Sequence, residues 1–188
     1  MALTPSSMPE LGLSAPAFVL TDTVSDSPRS LNQLRSGKVT VVMFLSNHCP
    51  YVKHVLDGLV RLALDYRPKG VSFIAISSSD SETYPEDAPE RMKRVALQHG
   101  FPFPYLYDES QEVARAYQAA CTPDFFVFDG QLRLAYRGRL DDARPESAVP
   151  VTGRDLRAVL NALLAGKPVS GEQLPSVGCN IKWRTVMV

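Results

Sequence analysis

Two runs of consecutive apolar and β-branched residues, Val39-Thr-Val-Val-Met-Phe-Leu45 and Val71-Ser-Phe-Ile-Ala-Ile-Ser77, lack the strict alternation of a half-exposed strand. They predict strands buried on both faces of a parallel sheet. Between them, Val52, Val55, Leu56, Leu59, Val60, Ala63 and Tyr66 recur at steps of three and four, the spacing of one helix face. The unit is strand-helix-strand, and such a crossover is right-handed.

Downstream, Pro89 to Gln98 predicts a second helix, with Asp87 able to cap its start and His99-Gly100 as its stop. Phe103 to Tyr107 reads as a short strand that Pro104 confines to an edge or a strand end. Gln111 to Tyr117 reads as a short helix. Phe125 to Asp129 and Leu132 to Arg139 are two strands joined at Asp129-Gly130, a hairpin signal. Thr152-Gly-Arg-Asp155 resembles a capping box ahead of the apolar stripe Leu156, Val159, Leu160, Leu163 and Leu164; Gly166 and Pro168 end that helix. The tail from about residue 169 reads as irregular, yet it carries Cys179 and the only tryptophan, Trp183, which predicts that it packs down. The order of elements indicates an α/β sandwich with a mixed sheet, taken as one domain over residues 1–188.

Composition narrows the classes of function. Twenty basic and twenty acidic side chains cancel, so charge points to neither nucleic acid nor an anionic membrane. The run Val39 to Leu45 is far too short to span a bilayer, and the N-terminal stretch lacks a basic start followed by an apolar run. Three cysteines, an odd number, suit a reducing compartment better than a disulfide framework. A soluble, cytoplasmic protein is the expectation.

The candidate chemistry lies in Ser46-Asn-His-Cys49-Pro-Tyr-Val-Lys53, where the first strand runs into the helix. Cys49 falls at or just before the first helical turn, and Pro50 suits the first helical position because the N–H it lacks would be unpaired there. The remaining N–H groups and the helix dipole favour a thiolate; each unit of pKa depression is worth about 1.4 kcal/mol. Cys49 is therefore the candidate nucleophile, against the alternative of a small buried hydrophobe. His48 reads equally as a catalytic or a packing side chain, Tyr51 as a shaper of the substrate surface or a packing group, and Lys53 as solvated. His48, Cys49 and His54 do not have zinc-site spacing. The polar loops Tyr84 to Glu90 and Asp141 to Pro145 read as solvated connections.

Cys49-Pro50 at a strand-to-helix start, followed by Thr122-Pro123 just before a strand, resembles the thioredoxin superfamily. Asn47-His-Cys-Pro-Tyr-Val52, Cys121-Thr-Pro-Asp-Phe-Phe126 and Gly178-Cys-Asn-Ile-Lys-Trp183 are similar to a bacterial redoxin subgroup related to alkyl hydroperoxide reductase and thiol-specific antioxidant proteins. The resemblance spans about residues 10 to 184. It implies a thioredoxin-like three-layer sandwich with a mixed central sheet flanked by helices. It also implies a cis Thr122-Pro123 bond whose loop lies against Cys49 and offers backbone groups to an extended thiol substrate. His48, Pro50, Tyr51, Thr122 and Pro123 would form that substrate face.

Departures from the family pattern shape the function it implies. Val52 stands where a dithiol thioredoxin has its second cysteine. Ser46 matches the Thr or Ser that precedes a peroxidatic cysteine, but Val42 and Pro123 replace a proline and an arginine of peroxiredoxins. A lone nucleophile needs a second thiol to complete its cycle. Cys121, beside the cis-proline loop, is the better candidate, and Cys179, in the tail, the alternative; each reads otherwise as a packed spectator or an anchor. The expectation is a thiol-disulfide oxidoreductase without metal or organic cofactor, acting on a disulfide or, less so, a peroxide, with electrons from a thiol donor such as a thioredoxin. A peroxiredoxin-like peroxidase and a non-catalytic binding module are the rivals.

Overall fold

The structure, a computed structural model, describes residues 3–169 and 171–185. In chain order these residues form β1 (Leu3–Pro5), β2 (Val19–Asp22), β3 (Ser27–Ser30), α1 (Leu31–Leu34), β4 (Val39–Phe44), α2 (Pro50–Tyr66), β5 (Val71–Ser77) and α3 (Pro89–Gln98). There follow β6 (Tyr105–Tyr107), α4 (Glu112–Ala116), β7 (Cys121–Thr122), β8 (Asp124–Asp129), β9 (Leu134–Gly138), α5 (Arg154–Leu164) and β10 (Val177–Asn180). Seven strands make a mixed sheet in the order β3-β2-β6-β5-β4-β8-β9, and β1-β10-β7 make a second, smaller one. β4 runs parallel to β5 and antiparallel to β8.

Every residue of β4 is buried because both faces of the sheet are covered. Val41 and Met43 pack with Leu59 of α2, Met92 of α3 and Leu160 of α5, whereas Val42 and Phe44 pack with Leu31 of α1, Ala114 of α4 and Phe126 of β8. Helices, sheet and helices thus form three layers. α2 matches the predicted apolar stripe, and burying a side chain such as Leu59 contributes about 2 kcal/mol. No described helix is long and apolar enough to cross a membrane.

Several local expectations are corrected. Of the two places Pro104 allowed, the strand end holds and the edge does not: β6 lies between β2 and β5 and starts at Tyr105, not Phe103, with Pro104 just before it, where no ladder donor is lost. Asp87 does not cap α3, whose N-cap is Ala88. Nor is Thr152 the N-cap of α5, although its hydroxyl accepts the Arg154 N–H, the first of that helix, at 3.2 Å. The N-cap is Gly153 in the left-handed region, and the Asp141 carboxylate accepts the Thr152 and Gly153 N–H groups at 2.8 and 2.6 Å. The tail read as irregular contains β10, paired on both sides.

Candidate active site

β4 ends beneath α2, and the connection Leu45 to His48 delivers Cys49 as the helix N-cap, with Pro50 in the first turn. Backbone geometry fixes this corner: the Cys49 N–H donates to the Ser46 carbonyl at 3.3 Å and the Lys53 N–H to the Cys49 carbonyl at 3.0 Å. The Thr122–Pro123 peptide bond, between β7 and β8, is cis. It turns the Thr122 carbonyl to within 3.2 Å of the Cys49 Sγ, a distance at which the thiol donates to it.

A third segment closes the corner. β10 pairs antiparallel with β7, with Cys179 opposite Thr122 and Asn180 opposite Cys121, and pairs with β1 on its other side. Cys179 Sγ lies 3.0 Å from Cys49 Sγ, about 1 Å longer than the roughly 2.05 Å of a disulfide bond. The approach of β10 to the cis-proline loop is so close that a Cβ on Gly178 would fall 2.0 Å from the Thr122 oxygen. Both sulfurs are buried: Cys49 is 0% exposed and Cys179 1%.

The sequence ranked Cys121 ahead of Cys179 as the partner of Cys49, and the geometry reverses that order. The Cys121 Sγ faces the carbonyls of Pro123 and Ser176 at 3.8 and 3.9 Å. Burial, reinforced by the nearby Asp124 carboxyl, pushes its thiol far above the ordinary range. Strand alternation explains the difference, since the residue opposite Cys179 is Thr122 and its neighbour Cys121 points to the other face. Cys179 is itself pushed up to about 12, first by burial and then by its hydrogen bond and charge interaction with Cys49.

The approach to Cys49 is anchored by Asp87, which is fully buried. Ser46 Oγ–H donates to its Oδ2 at 2.9 Å, the Asn47 N–H donates to its Oδ1, and His48 Nδ1 contacts the same carboxylate. Because a carboxylate only accepts, Nδ1 carries the proton there. The His48 ring stacks on Tyr84 at 4.7 Å, and its Nε2 is buried without a hydrogen-bond partner. Asn47 is held in turn by Tyr105 O–H at 3.1 Å and by the Glu86 carbonyl at 2.8 Å. Tyr51 lines a crevice with Pro123, Ser176 and Val177, beside the cis-proline loop. Lys53 pairs with Glu86 at the surface. Among the described residues, no three His, Cys, Asp or Glu side chains converge to hold a metal ion.

The model of the AhpC/TSA family matches residues 11–137. The chain belongs to the AhpC/TSA family. The match takes in Cys49 and the cis-proline loop of this AhpC/TSA protein but stops short of β10. The chain is 57% identical to an uncharacterized conserved protein from Geobacillus kaustophilus, with a TM-score of 0.97 over 100% of this chain and 99% of that one. It is 27% identical to the thiol-disulfide oxidoreductase ResA of Geobacillus kaustophilus (strain HTA426), over 69% of this chain and 71% of that protein. The thioredoxin domain of a thiol-disulfide oxidoreductase from Bacteroides vulgatus, 17% identical, superposes with a TM-score of 0.62 over 81% of this chain and 99% of that domain. That last likeness shows the fold: this AhpC/TSA protein is thioredoxin-like.

Three groups of the site had no sequence signal that assigned them. Asp87 looked like an ordinary helix cap, although it lies about forty residues from the loop it anchors. Gln111 is buried at the left-handed start of α4, where its Nε2 donates to the carbonyls of Ser78 and Lys182 and its Oε1 accepts the Arg184 N–H. Ser176 exchanges hydrogen bonds with Ser6 and donates to the Pro123 carbonyl. A positive φ at a non-glycine residue is legible only in the folded backbone.

Proposed function

We propose that the protein is a thiol-disulfide oxidoreductase whose redox pair is Cys49 and Cys179. The observation that carries this reading is the 3.0 Å contact between their sulfurs. Membership of the AhpC/TSA family and the likeness to a protein named a thiol-disulfide oxidoreductase support it.

The Cys49 thiolate attacks one sulfur of a substrate disulfide; a Cys49–substrate bond forms and the other substrate sulfur leaves as a thiolate. The Cys179 thiolate then attacks Cys49 Sγ, releasing the second substrate thiolate and forming the Cys49–Cys179 disulfide. Two electrons pass from the cysteine pair to the substrate, and a thiol donor such as a thioredoxin or a low-molecular-weight thiol returns them. Burial holds the proton on Cys179, and Cys49, at the N-cap of α2, is the nucleophile by its position. His48, Pro50, Tyr51, Thr122 and Pro123 form the substrate face, and we assign the protein to the cytoplasm.

A thiol peroxidase is the second reading, favoured by the family itself. It is opposed by Ser46, whose hydroxyl is committed to Asp87 rather than to Cys49 or a peroxide. An antioxidant role would belong with that reading. Treating reduced protein with one equivalent of a model disulfide and mapping its bonds by mass spectrometry tests the proposal. A Cys49–Cys179 bridge is the expected product; a Cys49–Cys121 bridge, or Cys49 left as a stable mixed disulfide, would sink it.

A further inference from the structure

Resting on the oxidoreductase reading, we infer that β10 is a built-in pseudo-substrate: Val177 to Asn180 occupies the ledge on which a client polypeptide lies, so the client is an extended segment with glycine immediately before its cysteine, and client and tail take the ledge in turn, β10 returning with Cys179 once the client strand has left the ledge and is held only by its disulfide to Cys49.

The placement of β10 carries this inference. β10 adds antiparallel to β7 directly before the cis Thr122–Pro123 bond. It sets a cysteine sulfur 3.0 Å from the nucleophile, and the Thr122 carbonyl that Cys49 addresses is the same one that Gly178 packs against. A client copying this path meets the same wall. Any β-carbon on the residue before its cysteine would stand 2.0 Å from the Thr122 oxygen and 2.9 Å from the Thr122 carbonyl carbon, and backbone atoms do not yield as a flexible side chain does.

Cys49 is wholly enclosed while the tail is docked, so no external disulfide reaches it until β10 lifts. What holds β10 lies on either side of the cysteine. Upstream, the Ser176 hydroxyl donates to the Pro123 carbonyl at 2.5 Å. Downstream, Gln111 grips Lys182 at 2.8 Å and Arg184 at 2.9 Å, the Asp80 N–H donates to the Lys182 carbonyl at 2.9 Å, and the Arg115 guanidinium lies 4.7 Å over the Trp183 ring. Cys179 and Ile181, each 1% exposed, also pack into the hydrophobic clusters on the two faces of the sheet, so release withdraws two buried side chains besides these bonds but breaks no ladder of the seven-stranded sheet.

The test uses the full-length reduced protein with Gly178→Ala. Trp183, the chain's only tryptophan, reports release of the tail by its fluorescence, and iodoacetamide labelling of Cys49, read by peptide mass, reports access. Gly178→Ala is expected to change the fluorescence and to label at least tenfold faster than the wild type, whereas Cys179→Ser, which keeps the strand, stays slow. The client is then probed with the peptide Val-Gly-Cys-Asn-Ile as its mixed disulfide with thionitrobenzoate, beside the same peptide with leucine for glycine. The glycine peptide should release thionitrobenzoate at least tenfold faster. If circular dichroism shows Gly178→Ala to be unfolded, Gln111→Ala, which removes the downstream grip, takes its place.

Unchanged fluorescence in Gly178→Ala, or equal labelling of the wild type and the released variant, would overturn the pseudo-substrate assignment. Equal rates for the two peptides would overturn the glycine requirement. Fast labelling with no release of thionitrobenzoate from either peptide would leave the masking strand standing and defeat the oxidoreductase reading instead.

Discussion

Cys179 carries a prediction that belongs to a single side chain. Its thiol is held up to about 12 by burial first and then by the hydrogen bond and charge interaction with Cys49. A raised thiol pKa means less thiolate at neutral pH, so resolution of the Cys49 adduct is slow in acid and accelerates as pH rises. The rate should climb roughly tenfold per pH unit between pH 6 and 8, following the thiolate fraction. Acid quenching at intervals and quantifying the Cys49–substrate adduct checks this: the adduct accumulates at pH 6 and is transient at pH 8, and a pH-independent rate would rule Cys179 out as the resolving thiol. At this scale Cys49 and the Thr122–Pro123 step were legible, because strand, Pro at the first helical position and Pro before a strand are local signals. Asp87 was not, since its polar partners Ser46, Asn47 and His48 come close only through the fold.

Among the elements, those with a strong period were legible. The unbroken apolar run of β4 and the three-and-four spacing of α2 each specify one burial pattern, and both appear as read. The hairpin of β2 and β3, mostly exposed and built from Val-Leu-Thr-Asp and Ser-Pro-Arg-Ser, has no such pattern and gave no signal. α5 shows how a correct helix can have a misread start. The Thr152 hydroxyl does accept the Arg154 N–H at 3.2 Å, but the N-cap is Gly153, and the turn that leads into it is held by Asp141, eleven residues before Thr152, which accepts the Ala143, Thr152 and Gly153 N–H groups at 3.0, 2.8 and 2.6 Å. Gly153 sits at φ +68°, and a Cβ there would come 2.7 Å from Leu62, so the turn has little freedom to find another acceptor. Asp141→Ala should therefore cost about 1–3 kcal/mol in urea denaturation, because it strands the buried Gly153 N–H. Asp141→Asn, which keeps an acceptor, should recover much of that loss. A cost below about 0.5 kcal/mol for the alanine variant would show that water replaces the carboxylate on the turn before α5.

Across the whole molecule, the two sheets differ in how they are held, and that difference explains why β10, in a tail read as irregular, escaped the sequence as a strand. β10 is four residues long and pairs with Leu3–Pro5 near one end of the chain and with Cys121–Thr122 far from both ends, so no local pattern announces it. Its function depends on the same weakness. β4 is paired on both edges and covered on both faces by packed helices, whereas β1, β10 and the residue after it meet the rest of the molecule through two-residue β7, the two buried side chains Cys179 and Ile181, and polar contacts at Ser176, Gln111 and Asp80. Opening that small sheet exposes the redox pair while leaving the large core intact, which is what a low-energy local transition requires. In the reduced protein the amides of β1 and β10 should then exchange hydrogen at one common rate, on the order of 100-fold or more faster than those of β4 and β5. Forming the Cys49–Cys179 bond ties β10 to the N-cap of α2, so oxidation should slow exchange in both strands together while leaving β4 unchanged. Hydrogen-exchange mass spectrometry on the two redox forms reads this directly. Exchange in reduced β10 as slow as in β4, or slower exchange on oxidation in β10 but not in its partner β1, would mean that the small sheet does not open as a unit and that access to Cys49 is gained by another route.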